Sequence, residues 1–286
     1  MKDDVIFNKA ININCSLIKI TGHDAEKFLQ GQLTCDMREV TTTQSRLGAY
    51  CNHKGRVLAT FRIFIWQQAY YLILPQTMSE NVIQQLRKYA IFSKVNLEKI
   101  EIMHGIGIYG TDAETLLKPY MKHVPTTVDE VAQTADLVMI RVPDELPRFE
   151  IYTNQETAAR LLEELGKHAQ TKNANTWQLL NIRAGIATVY PATSEQFTPH
   201  MLNLHTVNAV SFTKGCYVGQ EVIARTHYLG KSKRTLQYLV IHSVNALKPG
   251  DKLLDDNQQD IGIIVNAVRT GQEKQELLAV TSISPA

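Results

Sequence analysis

Three runs of β-branched and aromatic residues follow closely on one another: Leu47 to Cys51, Val57 to Trp66 and Tyr70 to Leu74. Only Asn52-His53-Lys54-Gly55, with Arg56, and the short Gln67-Gln68 break separate them. Such runs favour a pleated, half-buried surface, and links this short join antiparallel neighbours, because a parallel pair needs a crossover of a dozen residues or more. A meander of three strands is therefore predicted. Pro75 stops it, and Val82, Ile83, Leu86 and Tyr89 then recur at helical spacing behind a capping box of Thr77 and Glu80.

The same order returns downstream. Leu137 to Val142 and Phe149 to Tyr152 read as strands, and Thr153 with Glu156 opens a helix through Leu161, Leu162 and Leu165 that Gly166 ends. A third box, Thr111 and Glu114, starts a helix between Ile106-Gly107-Ile108-Tyr109 and Pro119. Upstream, Ile11, Ile13 and Leu17 to Ile20 read as a strand. Thr21-Gly22-His23-Asp24 then turns into a helix with Phe28, Leu29 and Leu33 on one face. Two α+β halves of comparable plan follow, with packed sheets inside and helices outside. After about residue 231 the texture changes. Leu236 to Ile241, Leu253-Leu254, Ile261 to Val265 and Leu277 to Val280 are short strands around turns such as Pro249-Gly250-Asp251, which predicts a small all-β domain, a barrel or sandwich. The expected division is 1–100, 101–230 and 231–286.

With 286 residues, 44% hydrophobic and 20% charged, the chain can fill several cores, and wholesale disorder is excluded. A formal charge of +2 supplies no global field for nucleic acid or a membrane, and Lys231, Lys233 and Arg234 read as a solvated turn. No run approaches the roughly 18 apolar residues of a membrane span, and Met1-Lys2-Asp3-Asp4 leads into no apolar segment, so no secretory signal is expected. Cys15, Cys35, Cys51 and Cys216 form no C-x-x-C pair, which fits a reducing cytoplasm without disulfides. The nine histidines show neither H-x-H nor H-E-x-x-H spacing, so no protein-only zinc site is expected.

The most informative stretch is Phe212-Thr213-Lys214-Gly215-Cys216-Tyr217-Val218-Gly219-Gln220-Glu221. Val210 to Phe212 reads as the end of a strand, and Glu221 to Arg225 has helical composition. Two glycines flank the cysteine and free the backbone for a tight, exposed turn. A thiol near Lys214 and a helix N-terminus is placed to be reactive, and a half-buried structural thiol is the equal alternative.

Lys214 to Glu221 resembles the K-G-C-Y-x-G-Q-E signature of the YgfZ family, relatives of the glycine cleavage T-protein, at every fixed position. Phe28-Leu29-Gln30-Gly31-Gln32-Leu33-Thr34 with Asp36, Lys54-Gly55-Arg56, Tyr89 to Val95, Asn181 to Ile186, Phe197-Thr198-Pro199 and Asn203-Leu204 are similar to further family elements. The C-terminal domain is matched only in character. The resemblance implies an α+β fold of three domains around a central folate cavity, with a small C-terminal β-barrel. It implies tetrahydrofolate, or a one-carbon form of it, as ligand. It also implies a cytoplasmic role in assembly or repair of iron–sulfur enzymes, including one of tRNA methylthiolation, with those enzymes or their assembly factors as transient partners.

A pterin edge is rich in donors and suits a carboxylate, its rings suit apolar walls and its glutamate tail suits cations. Glu195, with Gln196 beside it, is the expected pterin contact; Gln30, Gln32, Arg62, Tyr217 and Gln220 are further candidates for the cavity. Cys216 is the expected functional thiol, with Lys214 beside it. A lone cysteine cannot hold an iron–sulfur cluster, so no stably bound cluster is expected. The T-protein's catalytic aspartate is matched here by Thr60, whose hydroxyl is no base at neutral pH. Glycine cleavage is the runner-up reading. A thiol hydrolase pairing Cys216 with His205 or His227 is a third, and RNA binding through Lys231 to Arg234 a fourth; no direct nucleic-acid contact is expected.

Overall fold

The computed structural model describes residues 9–13, 15–100, 103–167, 170–172, 174–230, 232–255 and 257–282. The chain opens with β1 (Lys9–Ile13), β2 (Ser16–Thr21) and α1 (Ala25–Gln32). Next come the meander β3 (Arg46–Cys51), β4 (Val57–Trp66) and β5 (Ala69–Leu74), then α2 (Gln76–Tyr89), β6 (Asn96–Ile100) and β7 (Met103–Tyr109). The second half carries α3 (Ala113–Leu117), β8 (Val131–Gln133), β9 (Leu137–Arg141), β10 (Arg148–Asn154), α4 (Gln155–Gly166), β11 (Gln170–Lys172) and α5 (Ala174–Arg183). A long strandless segment follows, then α6 (Gln220–Leu229) and the strands β12 (Arg234–His242), β13 (Lys252–Leu254), β14 (Asp260–Arg269) and β15 (Lys274–Ser282).

The fold is α+β, as expected, with three sheets ordered β3-β4-β5-β2-β6, β11-β1-β7-β10-β9-β8 and β12-β15-β14-β13. Alternation along β4 shows how the first two meet. Ala59, Phe61 and Ile63 lie under Phe28 and Leu29 of α1 and Val82, Ile83 and Leu86 of α2. Phe64 and Trp66 face the other way, into a layer shared with Val138, Ile140 and Tyr152 of the second sheet and with Trp177 and Leu180 of α5. Burying a large side chain in such a layer contributes roughly 1.5–3 kcal/mol. On its far side, the second sheet packs Ile106, Phe149 and Ile151 against α3 and α4. Helices thus cover the outside, and the two sheets enclose the middle.

Several local expectations are corrected. The segment Ile11 to Ile20 is two strands, not one, and β1 joins β7 in the second sheet. Val210 to Phe212 is not a strand; Ser211 N–H donates to Thr34 O and fixes it as a loop. None of the three capping boxes forms. α2 starts behind Pro75 and α3 behind Asp112 without a side-chain cap. Asn154 caps α4 by accepting from Thr157 N–H, because Thr153 is buried in β10 with its hydroxyl on Asp136 O.

Side-chain hydrogen bonds tie the C-terminal sheet to the rest. Arg183, at the end of α5, donates two hydrogen bonds of 2.7 Å to Glu276 of β15, and Tyr238 OH donates to the same carboxylate. Asn266 of β14 clamps Thr188 through both its N–H and its carbonyl.

Candidate functional site

A cavity of about 310 Å³ opens in the middle layer. Thr60, Phe61 and Arg62 of β4, Glu150 and Tyr152 of β10, and Trp177, Gln178 and Asn181 of α5 contribute to its wall. The strandless segment adds Ala187, Thr188 and Tyr190, and no described residue of the C-terminal sheet lines it. The wall is mostly apolar with a few polar groups, the composition of a small-molecule site.

Glu150 is the only carboxylate among the described lining residues. Strand alternation puts it there: Phe149 and Ile151 face α3 and α4, so Glu150 and Tyr152 face the cavity. Its Oε2 accepts from Tyr152 OH at 2.9 Å and lies 3.6 Å from Arg62 Nε. Its Oε1 has no partner among the described residues. Arg62 is itself held by Asp129 and Ser45 Oγ, so the cluster of Arg62, Asp129 and Glu150 carries one negative charge in excess. Cys15 also lines the cavity, and burial, followed by the Glu150 charge, pushes its thiol up to about 12.

Thr60 sits where the sequence comparison placed the T-protein's acid. Its hydroxyl donates to Ala187 O at 3.0 Å and accepts from Val189 N–H at 3.1 Å. It pins the strandless segment to the wall and has no free role as a base.

The other expected ligands divide. Arg62 reaches the wall, but its guanidinium is committed to Asp129 and Glu150. Glu195 and Gln196 do not line the cavity. They sit with Asn52, Lys54 and Arg56 on an exposed shallow site, because Glu195 adopts φ 63° and its Oε1 accepts from Asn52 Nδ2 at 2.7 Å. Gln30 braces Asp36 and Met37 N–H. Gln32, Tyr217 and Gln220 also lie outside the cavity wall.

These last residues belong to a second assembly. Lys214 is buried, and its Nζ donates to Leu33 O at 2.9 Å and Cys35 O at 2.7 Å. Burial brings its pKa down to about 8. Its ammonium therefore closes α1 rather than serving the neighbouring thiol. Val218 N–H donates to Gly31 O, and Gly219 packs on Asn52 O and Gly55. Three motifs far apart in sequence, Phe28 to Thr34, Asn52 to Arg56 and Lys214 to Glu221, thus form one joint. Cys216 is exposed on that joint and does not line the cavity, whereas Cys35 and Cys51 are buried. Tyr217 OH and Gln32 Oε1 are buried there without hydrogen-bond partners among the described residues.

The histidines of the thiol-hydrolase reading form a ring cluster instead. His200 lies 5.0 Å from His205 and 5.7 Å from His227, and His227 stacks on Phe212 at 3.7 Å. Among the described residues, no hydrogen bond joins either His205 or His227 to Cys216, and no group of His, Cys, Asp and Glu is placed to hold a metal ion. Both His200 ring nitrogens are buried without a hydrogen-bond partner among the described residues. Burial, reinforced by His205 and His227, holds its pKa down at about 4. Below pH 6.5 the unfolded chain takes up a proton that the fold refuses until about pH 4, so this contribution is intact above pH 6.5 and is lost as pH falls through that window. His200→Phe removes it. The variant's urea midpoint is expected to fall less than wild type's between pH 6.5 and 4, by about 2–3 kcal/mol of stability. Parallel curves for the two proteins would refute the assignment.

No helix among the described residues is long and apolar enough to cross a membrane. The sequence matches the GCVT N-terminal domain family over residues 14–214. It is 35% identical over 219 residues to a protein of Colwellia psychrerythraea named tRNA-modifying protein YgfZ, covering 77% of this chain and 67% of that one. It is 34% identical over 257 residues to the protein of the same name in Yersinia pseudotuberculosis, covering 89% and 78%. The fold is similar to the glycine cleavage system aminomethyltransferase T of Bartonella henselae, with a TM-score of 0.76 and 17% identity over 96% of this chain and 78% of that one. With the signature joint and the T-protein plan both in place, the chain belongs to the YgfZ family of GCVT-domain proteins.

Proposed function

We propose that the central cavity binds tetrahydrofolate or a one-carbon form of it, and that the protein acts in tRNA modification, as the names of its relatives state of them. The finer reading is an accessory role in assembly or repair of iron–sulfur enzymes, those enzymes or their assembly factors being transient partners, with exposed Cys216 as the functional thiol. The observation that carries the ligand is Glu150: a half-satisfied carboxylate in an otherwise mostly apolar cavity, beside Tyr152 and Trp177. A pterin offers two adjacent donors to such a carboxylate and a flat ring to such walls. Glycine cleavage is disfavoured because Thr60 is hydrogen-bonded in both directions.

Calorimetric titration with tetrahydrofolate tests this. Wild type is expected to bind, and Glu150→Gln to bind about 10–100-fold more weakly, the worth of a charge-assisted contact. Glu195→Ala and Cys216→Ser are expected to bind as wild type, since neither residue reaches the cavity; Cys216→Ser should lose the role in tRNA modification. No heat from the wild-type protein would remove the folate reading.

A further inference from the structure

The near-neutral total hides an uneven distribution of charge. Between Gln196 and Gly250 there is one acidic residue, Glu221, against Lys214, Arg225, Lys231, Lys233, Arg234 and Lys248. Lys214 is buried and Lys231 lies outside the described residues. Arg225, Lys233 and Arg234 are exposed on α6 and at the start of β12, and none forms an ion pair among the described residues. Asp260, whose charge reaches Arg234, is already paired with Lys252 at 3.1 Å.

Aromatic rings lie on α6 and on the loop before it, close in sequence to these cations. His227 lies flat on Phe212, at 3.7 Å and 11° between planes, and Tyr228 meets His227 edge-on at 4.9 Å. Tyr228 is 64% exposed, and Arg225 neighbours it one turn back on α6. Asn203 draws β12 toward the same cluster: its Nδ2 donates to Leu236 O and its Oδ1 accepts from Thr235 Oγ1. Arg234 is therefore set beside the segment that carries His200 and His205. Exposed His227 and Tyr228, backed by half-buried Phe212 and near in sequence to cations without ion pairs among the described residues, supply the two ingredients of a single-strand stacking platform, rings for bases and cations for the backbone.

We propose that this surface, Phe212, His227 and Tyr228 with Arg225, Lys233 and Arg234, binds single-stranded RNA. The choice of RNA rests on the tRNA-modification reading above, while the surface itself argues against the expectation, drawn from total charge, of no nucleic-acid contact. Cys216 is exposed on the loop between Phe212 and α6, so bound RNA would lie along the face that displays the thiol.

The test is fluorescence anisotropy with a labelled single-stranded RNA twelve-mer and with a duplex of the same sequence, between 50 and 200 mM salt. Wild type is expected to bind the single strand at least tenfold more tightly than the duplex. The log–log salt slope should be about −2, as three phosphate contacts imply. His227→Ala/Tyr228→Ala should weaken binding about tenfold or more with the slope unchanged. Arg225→Gln/Lys233→Gln/Arg234→Gln should flatten the slope. Both variants should still bind tetrahydrofolate as wild type does, which separates this proposal from the cavity's ligand and shows that they are folded. No saturable binding at 50 mM salt, equal affinity for the duplex, or indifference to both variants would overturn it.

Discussion

Replacing Arg62 with methionine is expected to cost about 3–5 kcal/mol of stability, the range for removing one partner of a buried ion pair. Arg62 is 5% exposed on β4 of the first sheet, and its partners Asp129 and Glu150 belong to the second half of the chain. It also donates to Ser45 Oγ at 3.0 Å. Truncation leaves two mostly buried carboxylates on the second half of the chain, without the cation from the first sheet that offsets them. The loss is thus chiefly that of stranded charge, and a second change should return part of it: Arg62→Met/Asp129→Asn is expected to be more stable than Arg62→Met alone. Arg62→Lys keeps the charge but not the fork that reaches Asp129 and Ser45 together, and should fall between. Urea midpoints at unchanged m-value measure all three. A loss below about 1 kcal/mol for Arg62→Met, or no recovery in the double variant, would show that water reaches this cluster in solution.

The meander, the α+β plan and the signature turn were legible because each is written in local terms: alternating apolar residues, short turns, and glycines at fixed offsets. β3, β4 and β5 match the three runs to within a residue or so. What was not legible depends on which surface an element faces. Arg148, Glu150 and Tyr152 alternate with Phe149 and Ile151, and that pattern is the same whether the polar side meets water or a cavity. Only the stacking of a second sheet decides it, and the sequence by itself does not single out Glu150. Glu195 offers a carboxylate of the kind a pterin edge suits, yet a left-handed backbone and a hydrogen bond from Asn52 hold it on an exposed shallow site outside the cavity. Lys214 misled for a related reason. Two residues from Cys216, it invites a charge–thiol reading, but its four-carbon stem carries the ammonium inward to two carbonyls of the segment after α1. Sequence neighbourhood is a poor guide to where a long side chain ends. The joining of three distant motifs at one place accounts for their occurring together, and spacing alone could not have revealed it.

Gly219→Ala is expected to cost about 3 kcal/mol, while Gly215→Ala, four residues away on the other side of Cys216, should stay within about 0.5 kcal/mol of wild type. In sequence the two glycines are equivalent, both flanking the thiol. In the fold they are not. Gly219 holds φ 82°, where an L side chain costs roughly 1–2 kcal/mol. A β-carbon there would stand 2.5 Å from Asn52 O and 3.1 Å from Gly55 Cα, both backbone atoms that cannot swing aside. Nor can the opposing turn yield, since Gly55 has φ 68° and a β-carbon built on it would stand only 3.1 Å from Val222 Cβ and 3.3 Å from Ile223 Cγ1 of α6. A β-carbon on Gly215 meets nothing within 4 Å and needs no left-handed backbone. Thermal unfolding gives the stability difference, and thiol labelling under native conditions gives the consequence for function. Wild type and Gly215→Ala should each label rapidly at Cys216, because Cys35 and Cys51 are buried and burial pushes the thiol of Cys15, in the cavity wall, up to about 12. In Gly219→Ala the loop can no longer seat against the Asn52–Gly55 turn, and Cys51, on the core side of that turn beneath Tyr217, should become reactive as well. One fast thiol in both variants, with equal melting temperatures, would mean that the loop displaying Cys216 is held by something other than the interlock of Gly219 with Asn52 and Gly55.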